Sequence, residues 1–426
     1  MNVNPKQFRA GRGIERPTWL PEPRPPHLVL DEVGGAAGYV LWLLLNDCGL
    51  WIAAGPRPEL FAPGGREWSE DEWPAELVDA FSVLRAASAA PELARAPDLA
   101  AAAASVWEWA EREGHKETAL QFAELAARLE PDSSARSATA GRFCRRYGGL
   151  HARAAQWYAR ATRLARLQDD EIAFVTARLG WGILEFNQGR YLHAESHFNA
   201  AFRRAMRVGR RSTAGLARHC LLGIAVASGR YEVAMLQAFE AVRLYAAHHP
   251  RFPVLAHDVA FAIAAQGYYS SAIPVLVKTL PLMGVARERI LVLATLARSA
   301  GAARDRVRFE RAAAEVLRMA EADAEMSESS VFQVAQGARS FEQWERADLL
   351  ARRALELAEQ SGNGYIVSAA RELIESIGER AAGDVDIIPE EGSEVDQLVE
   401  LLLARLAKHT APPDGRAVSV EKFPVY

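Results

Sequence analysis

The chain has 426 residues and a formal net charge of −4; half of its residues are hydrophobic, yet only 8 % are aromatic. That length exceeds one ordinary compact core, so several domains or one elongated array are expected, and alanine runs such as Ala100 to Ala104 favour closely approaching helices over a thick β core. Three isolated cysteines, Cys48, Cys144 and Cys220, exclude a disulfide scaffold and read as small buried side chains.

Residues 1–67 are not repeat-like and form a small N-terminal cap. Met1 to Pro26 is polar and proline-rich without a leading apolar stretch, so cytoplasmic residence is expected. The basic residues are nearly all arginine, which reads as a GC-rich, bacterial coding bias. The most apolar window, Ala36 to Ala54, has Asn46 and Asp47 at its middle, and an acid there costs roughly 3 kcal/mol in lipid. No membrane role is expected; a buried helix and the helix-turn-strand of an α/β cap are the alternatives. Ser69-Glu-Asp-Glu72 before Trp73 predicts an N-cap, opening a connecting helix within 68–97 that runs to about Ala90.

From residue 98 one phrase recurs: glycine, any residue, an aromatic or long side chain, two residues, then alanine. It reads Gly114, Lys116 and Ala119; Gly149, His151 and Ala154; Gly189, Tyr191 and Ala194; Gly229, Tyr231 and Ala234; Gly267, Tyr269 and Ala272. Each glycine falls where a first helix must stop and the chain reverse, and glycine takes the left-handed conformation there without a Cβ penalty. The alanine falls in the first turn of a second helix, where a small side chain lets the two helices close into a hairpin. The marks are clear over 98–284 and weaker over 285–382, where helices are still expected and Trp344 to Ala347 with Ala354 repeats the pattern. Residues 383–426 read as an acidic linker, an amphipathic helix from Val395 to Lys408, and a tail.

The run Gly182, Gly189, Tyr191, Ala194, Phe198, Ala201 resembles the tetratricopeptide repeat. The resemblance implies an all-α, right-handed solenoid of antiparallel helix pairs that binds partners on a concave side lined by first helices. Carried over by position, that side holds Arg136, Thr139, Phe143, Arg146 and Tyr147, then Phe186 and Asn187, then His219, then His257. The lysine and asparagine arrangement that grips a C-terminal carboxylate in some relatives is absent.

No H-E-x-x-H, G-x-S-x-G, P-loop or G-x-G-x-x-G is present, so no enzyme activity, cofactor or metal is expected. His193 and His197 share a helix face but lack a third ligand, and Asp169, Asp170 and Glu171 read as caps of the next helix. Charge is unevenly spread. Between Arg136 and Cys220 sixteen arginines meet five acids, a net of +11, and from Glu310 to Glu400 the net is −13. The expectation is a protein-interaction scaffold for a protein or peptide segment, acidic in character. A sensor, regulator or defence component that binds a peptide or nucleic acid through 136–220 is the alternative, and head-to-tail self-association of the two poles is a further expectation.

Overall fold

In this computed structural model, residues 21–60, 73–147, 149–246, 248–322, 327–381 and 383–409 are described. Nineteen α-helices and no strand lie among them. Over residues 21–60 the N-terminal region is helical, and the helix-turn-strand alternative for Ala36 to Ala54 is not found: α2 (Gly35–Ala54) runs unbroken through Asn46, Asp47 and Gly49. The predicted N-cap at Ser69 lies outside the described residues; the connecting helix is α3 (Val78–Ala89). The chain divides into two compact units, Met1–Arg204 and Ala205–Tyr426.

Seven consecutive hairpins follow among the described residues. In the first unit they are α4 (Ala96–Glu113) with α5 (Lys116–Leu129), α6 (Ser134–Tyr147) with α7 (His151–Leu167), and α8 (Glu171–Asn187) with α9 (Tyr191–Arg207), whose last turn carries the unit boundary. The second unit holds α10 (Arg211–Ala227) with α11 (Tyr231–Leu244), α12 (Phe252–Ala265) with α13 (Tyr269–Thr279), α14 (Ala286–Ala302) with α15 (Arg306–Ala322), and α16 (Ser327–Ser340) with α17 (Trp344–Ser361). Helices α18 (Gly364–Gly378) and α19 (Glu394–Leu406) complete it.

One hydrogen-bonded turn closes three of the marked hairpins, at Gly189, Gly229 and Gly267, and both faint ones. At Gly229 the backbone is left-handed, its N–H donates to the Val226 carbonyl at 3.0 Å, and the Arg230 N–H donates to the Ala225 carbonyl at 2.8 Å. The same two bonds close α14 on α15 at Arg304 and α16 on α17 at Glu342, both left-handed without being glycine. The glycine phrase fades in the sequence there, but the turn persists. Ala119, Ala154, Ala194, Ala234, Ala272 and Ala347, each five residues beyond the turn residue, are fully buried where the paired helices meet. In α15 that position holds Phe309, also fully buried, and space for its ring comes from glycine on the neighbouring first helices. A Cβ on Gly337 would lie 2.8 Å from the Phe309 ring, and one on Gly301 would lie 2.5 Å from the Gly337 Cα.

The first unit begins with α1 (His27–Val33), α2 and α3 packed against the first hairpin. Among the described residues, α2 alone is long and apolar enough to cross a membrane by length and composition. Here it lies against α3 and α5, with the Trp51 indole donating to the Pro91 carbonyl at 3.1 Å. Glu32 of α1 accepts the backbone N–H groups of Glu117 and Thr118 at 2.9 and 2.8 Å, so a carboxylate meets the positive end of α5. Arg24 pairs with Glu117 at 2.7 Å beside it.

Because the Gly301 contact is with backbone, no side-chain rotation can relieve it. Gly301→Ala should destabilise the second unit by about 1 to 3 kcal/mol, measured as a lower midpoint of chemical denaturation. An unchanged midpoint would refute the close approach of α14 and α16.

Candidate functional site

On α6 the half-exposed stripe is Arg136, Thr139, Arg142 and Arg146. Phe143, expected among these, is instead fully buried with its ring 5.3 Å from that of Trp107, so it is packing and not a contact residue. Arg136, Thr139 and Arg146 lie on the expected face, and at the remaining position the exposed residue is Arg142, which the expectation lacked. Arg142 lies over Phe143, 4.5 Å from the ring centroid, and shares Glu111 of α4 with Arg146 at 3.1 and 2.6 Å. Arg136 pairs with Glu130 at 3.1 Å. The Tyr147 side chain lies outside the described residues. The linear count of +11 thus overstates the free charge, because acids of the preceding repeat reach into the arginine stretch; buried Glu124 likewise holds Arg153 and accepts the Trp157 indole N–H at 2.8 Å.

In the next hairpin Phe186 is half-buried, its ring 5.6 Å from Tyr191, and Asn187 is exposed at the end of α8. Asp170 caps α8, accepting from the Ala173 N–H at 2.9 Å. Further back along α8, Phe174, Arg178 and Trp181 form one stripe. Arg178 donates to His197 Nδ1 at 2.8 Å, and the Trp181 ring lies 4.5 Å from the His197 ring. His197 is buried.

In the second unit His219 and His257 do not line an open groove; both are buried, and this corrects their assignment as partner contacts. They flank a buried acid that the sequence reading did not single out. His219 Nε2 lies 2.6 Å from Asp258 Oδ2, His257 Nδ1 lies 3.0 Å from Asp258 Oδ1, and His257 Nε2 lies 3.2 Å from the Thr295 hydroxyl. Burial alone would raise the Asp258 pKa, but the hydrogen bonds and charge of the two imidazoles hold it at about 2. The chain His219, Asp258, His257, Thr295 crosses α10, α12 and α14, so it fastens three successive first helices. Apposed helices leave such groups no water, and each is satisfied by the next.

The segment predicted as an acidic linker is docked. Asp384 receives Arg298 Nε at 3.0 Å, Arg339 Nη2 at 3.3 Å and the Tyr269 hydroxyl at 2.9 Å. Burial raises the Tyr269 pKa to about 12, which keeps its hydroxyl a donor. Asp386 accepts the Ser270 N–H at 2.9 Å in the first turn of α13, and the Ile387 N–H donates to the Gly267 carbonyl at 2.8 Å. Helix α19 then buries Val395, Leu398, Val399, Leu402 and Leu406 against a face that includes α13 and α11. It ends with Arg405 donating to the Val242 and Tyr245 carbonyls at 2.8 Å each, the free carbonyls at the end of α11.

No family model and no curated protein matches the chain. Among solved structures it is similar to yeast Tom70, with 15 % identity over 79 % of this chain and 70 % of that one, at a TM-score of 0.39. It is similar too to the TPR domain of P58(IPK), with 13 % identity over 72 % of this chain and 97 % of that one, at a TM-score of 0.22. The seven hairpins, all with a left-handed turn and six with a buried alanine five residues beyond it, decide the matter. This is a TPR-like helical repeat protein. Its repeats are lengthened, and the last two turn without glycine.

The Arg178 and His197 pair makes a pH prediction. Burial, then the charges of Arg178 and His193, lower the His197 pKa to about 4 from 6.5. The folded chain favours the neutral ring, so this contribution to stability is complete above pH 6.5 and is lost as pH falls toward 4. His197→Gln keeps an acceptor for Arg178 and removes the titration. Its melting temperature should decline less than the parent's between pH 6.5 and 4; parallel declines would exclude His197 as the titrating group.

Proposed function

We propose that this TPR-like chain is a non-catalytic scaffold that docks a segment of another protein, and that arginines near the ends of its first helices read the acids of that segment. The observation that carries this reading is the docked stretch 384–406. There an extended acidic peptide and an amphipathic helix lie on the array. They use the interactions a partner's segment would use: Asp384 between Arg298 and Arg339, Asp386 on the first turn of α13, and an apolar helix face against α11 and α13. Charged hydrogen bonds of this kind contribute about 1.5 to 3 kcal/mol each, and the helix face adds apolar burial. Position along the segment is read by charge and strength by burial, a division that suits recognition of extended peptides.

The test uses the full chain carrying Asp384→Ala and Asp386→Ala together. Hydrogen exchange over 384–406 should quicken at least tenfold. The loosened chain should then bind a fluorescent peptide of wild-type sequence 383–406 added in trans, and Arg298→Gln in the same background should weaken that binding at least tenfold. Failure of the peptide to bind the loosened chain would overturn the reading of this edge as a docking site.

A further inference from the structure

Around Phe174 in the first unit the arginines outnumber their acids. Three guanidinium groups surround this one ring: Arg204 at 5.0 Å from its centroid, Arg166 at 5.3 Å and Arg178 at 5.6 Å. Glu171 pairs with Arg204. Arg203 stands beside Arg204 on α9, exposed, and Arg166 is exposed on α7. Among the described residues no carboxylate lies within ion-pair distance of Arg166, Arg178 or Arg203. Arg178 is held in place by His197 and Phe174, and its Nε is buried without a hydrogen-bond partner. Burial, and then the positive charges of Arg166 and Arg203, depress its pKa.

The following hairpin shows what a complete version of this arrangement contains. Forty residues on, Arg218 corresponds to Arg178, Gln237 to His197 and Glu240 to Ala200. Arg218 donates to Gln237 Oε1 at 3.1 Å and is ion-paired with Glu240. Where that repeat supplies a carboxylate, the earlier one has Ala200, whose methyl supplies none. A half-buried guanidinium without its anion is costly to desolvate, and a neutral imidazole does not offset its charge.

We propose that Arg166, Arg178 and Arg203 form a binding site for a dianionic phosphoryl group. Three unmatched cations call for more than one negative charge. A phosphate monoester supplies close to two charges and three acceptor oxygens, which the planar forks of guanidinium engage in pairs. Arg178 is the prearranged member, fixed by His197. Arg166 and Arg203, exposed on either side, close on the ligand from α7 and α9. The assignment is independent of the docked C-terminal segment, which belongs to the other unit.

The probe is inorganic phosphate titrated into the full chain at constant ionic strength, read by ³¹P line broadening and by melting temperature. Phosphate should bind the parent. Arg178→Gln and Arg203→Gln should each weaken binding at least tenfold. Ala200→Glu, which installs the acid the next repeat possesses, should abolish binding while raising the melting temperature without phosphate. Arg218→Gln, where the arginine already has its acid, should change affinity by less than twofold. Phenyl phosphate and a phosphoserine peptide separate the sources. Tenfold tighter binding of the peptide assigns the group to a phosphorylated chain, and equal binding assigns it to a small phosphate monoester. Phosphate binding that is no stronger than acetate binding, that survives in Ala200→Glu, or that is outcompeted by a phosphodiester oligonucleotide would overturn the proposal. Arg203 is exposed and Ala200→Glu adds a partner, so these two variants keep the test decisive even where Arg178→Gln fails to fold.

Discussion

Each marked hairpin closes over an alanine that leaves no room for a larger side chain, and the spacing of every other group depends on that closeness. Two helices held apart only by a methyl group bring their neighbouring stripes into register. A polar side chain on one helix then finds its partner on the next at a fixed offset along the chain. Hence the array holds so many charges internally: Glu111, Glu124 and Glu130 each meet an arginine of the following helices. Where the alanine gives way to Phe309, the volume is removed elsewhere, and two glycines on adjacent first helices let backbone meet backbone. Packing density is conserved although the residue is not.

The internal polar groups show the same logic at greater depth. Asp258 is fully enclosed and stays ionised because two imidazoles face it, and both imidazoles find further hydroxyls or carboxylate oxygens. Such a chain tolerates no vacancy, since removing one member leaves the next unsolvated. It fastens three repeats through their first helices. Arg178 is the contrasting case, an arginine on the same kind of stripe held by a ring nitrogen, with Ala200 where the next repeat has its acid.

How much of this was legible in the sequence followed from which forces act locally. The left-handed turn is a local demand, so the five glycines marked five hairpins. Arg304 and Glu342 occupy the same backbone conformation at a modest steric cost, about 1 kcal/mol, and carried no mark. The helical face was harder to place. Arg142 and Phe143 are adjacent, and only the packing of Trp107 decides which of them turns inward. The histidines looked like groove residues because their positions suited it, and their burial became evident only with Asp258 and Thr295 on separate helices beside them. The acidic stretch 383–392 read as a linker because composition records charge but not the distant Arg298 and Arg339 that receive it.

The order in which the chain is made gives the docked C-terminal segment a further meaning. Tyr269 precedes its partner Asp384 by 115 residues. At ordinary rates of synthesis, this interval lasts on the order of ten seconds, long compared with the closing of a helical hairpin. Throughout it, the first turn of α13 and the faces of α11 and α13 exist without the segment that covers them. A nascent chain therefore presents this edge bare, and α19, made later, completes it.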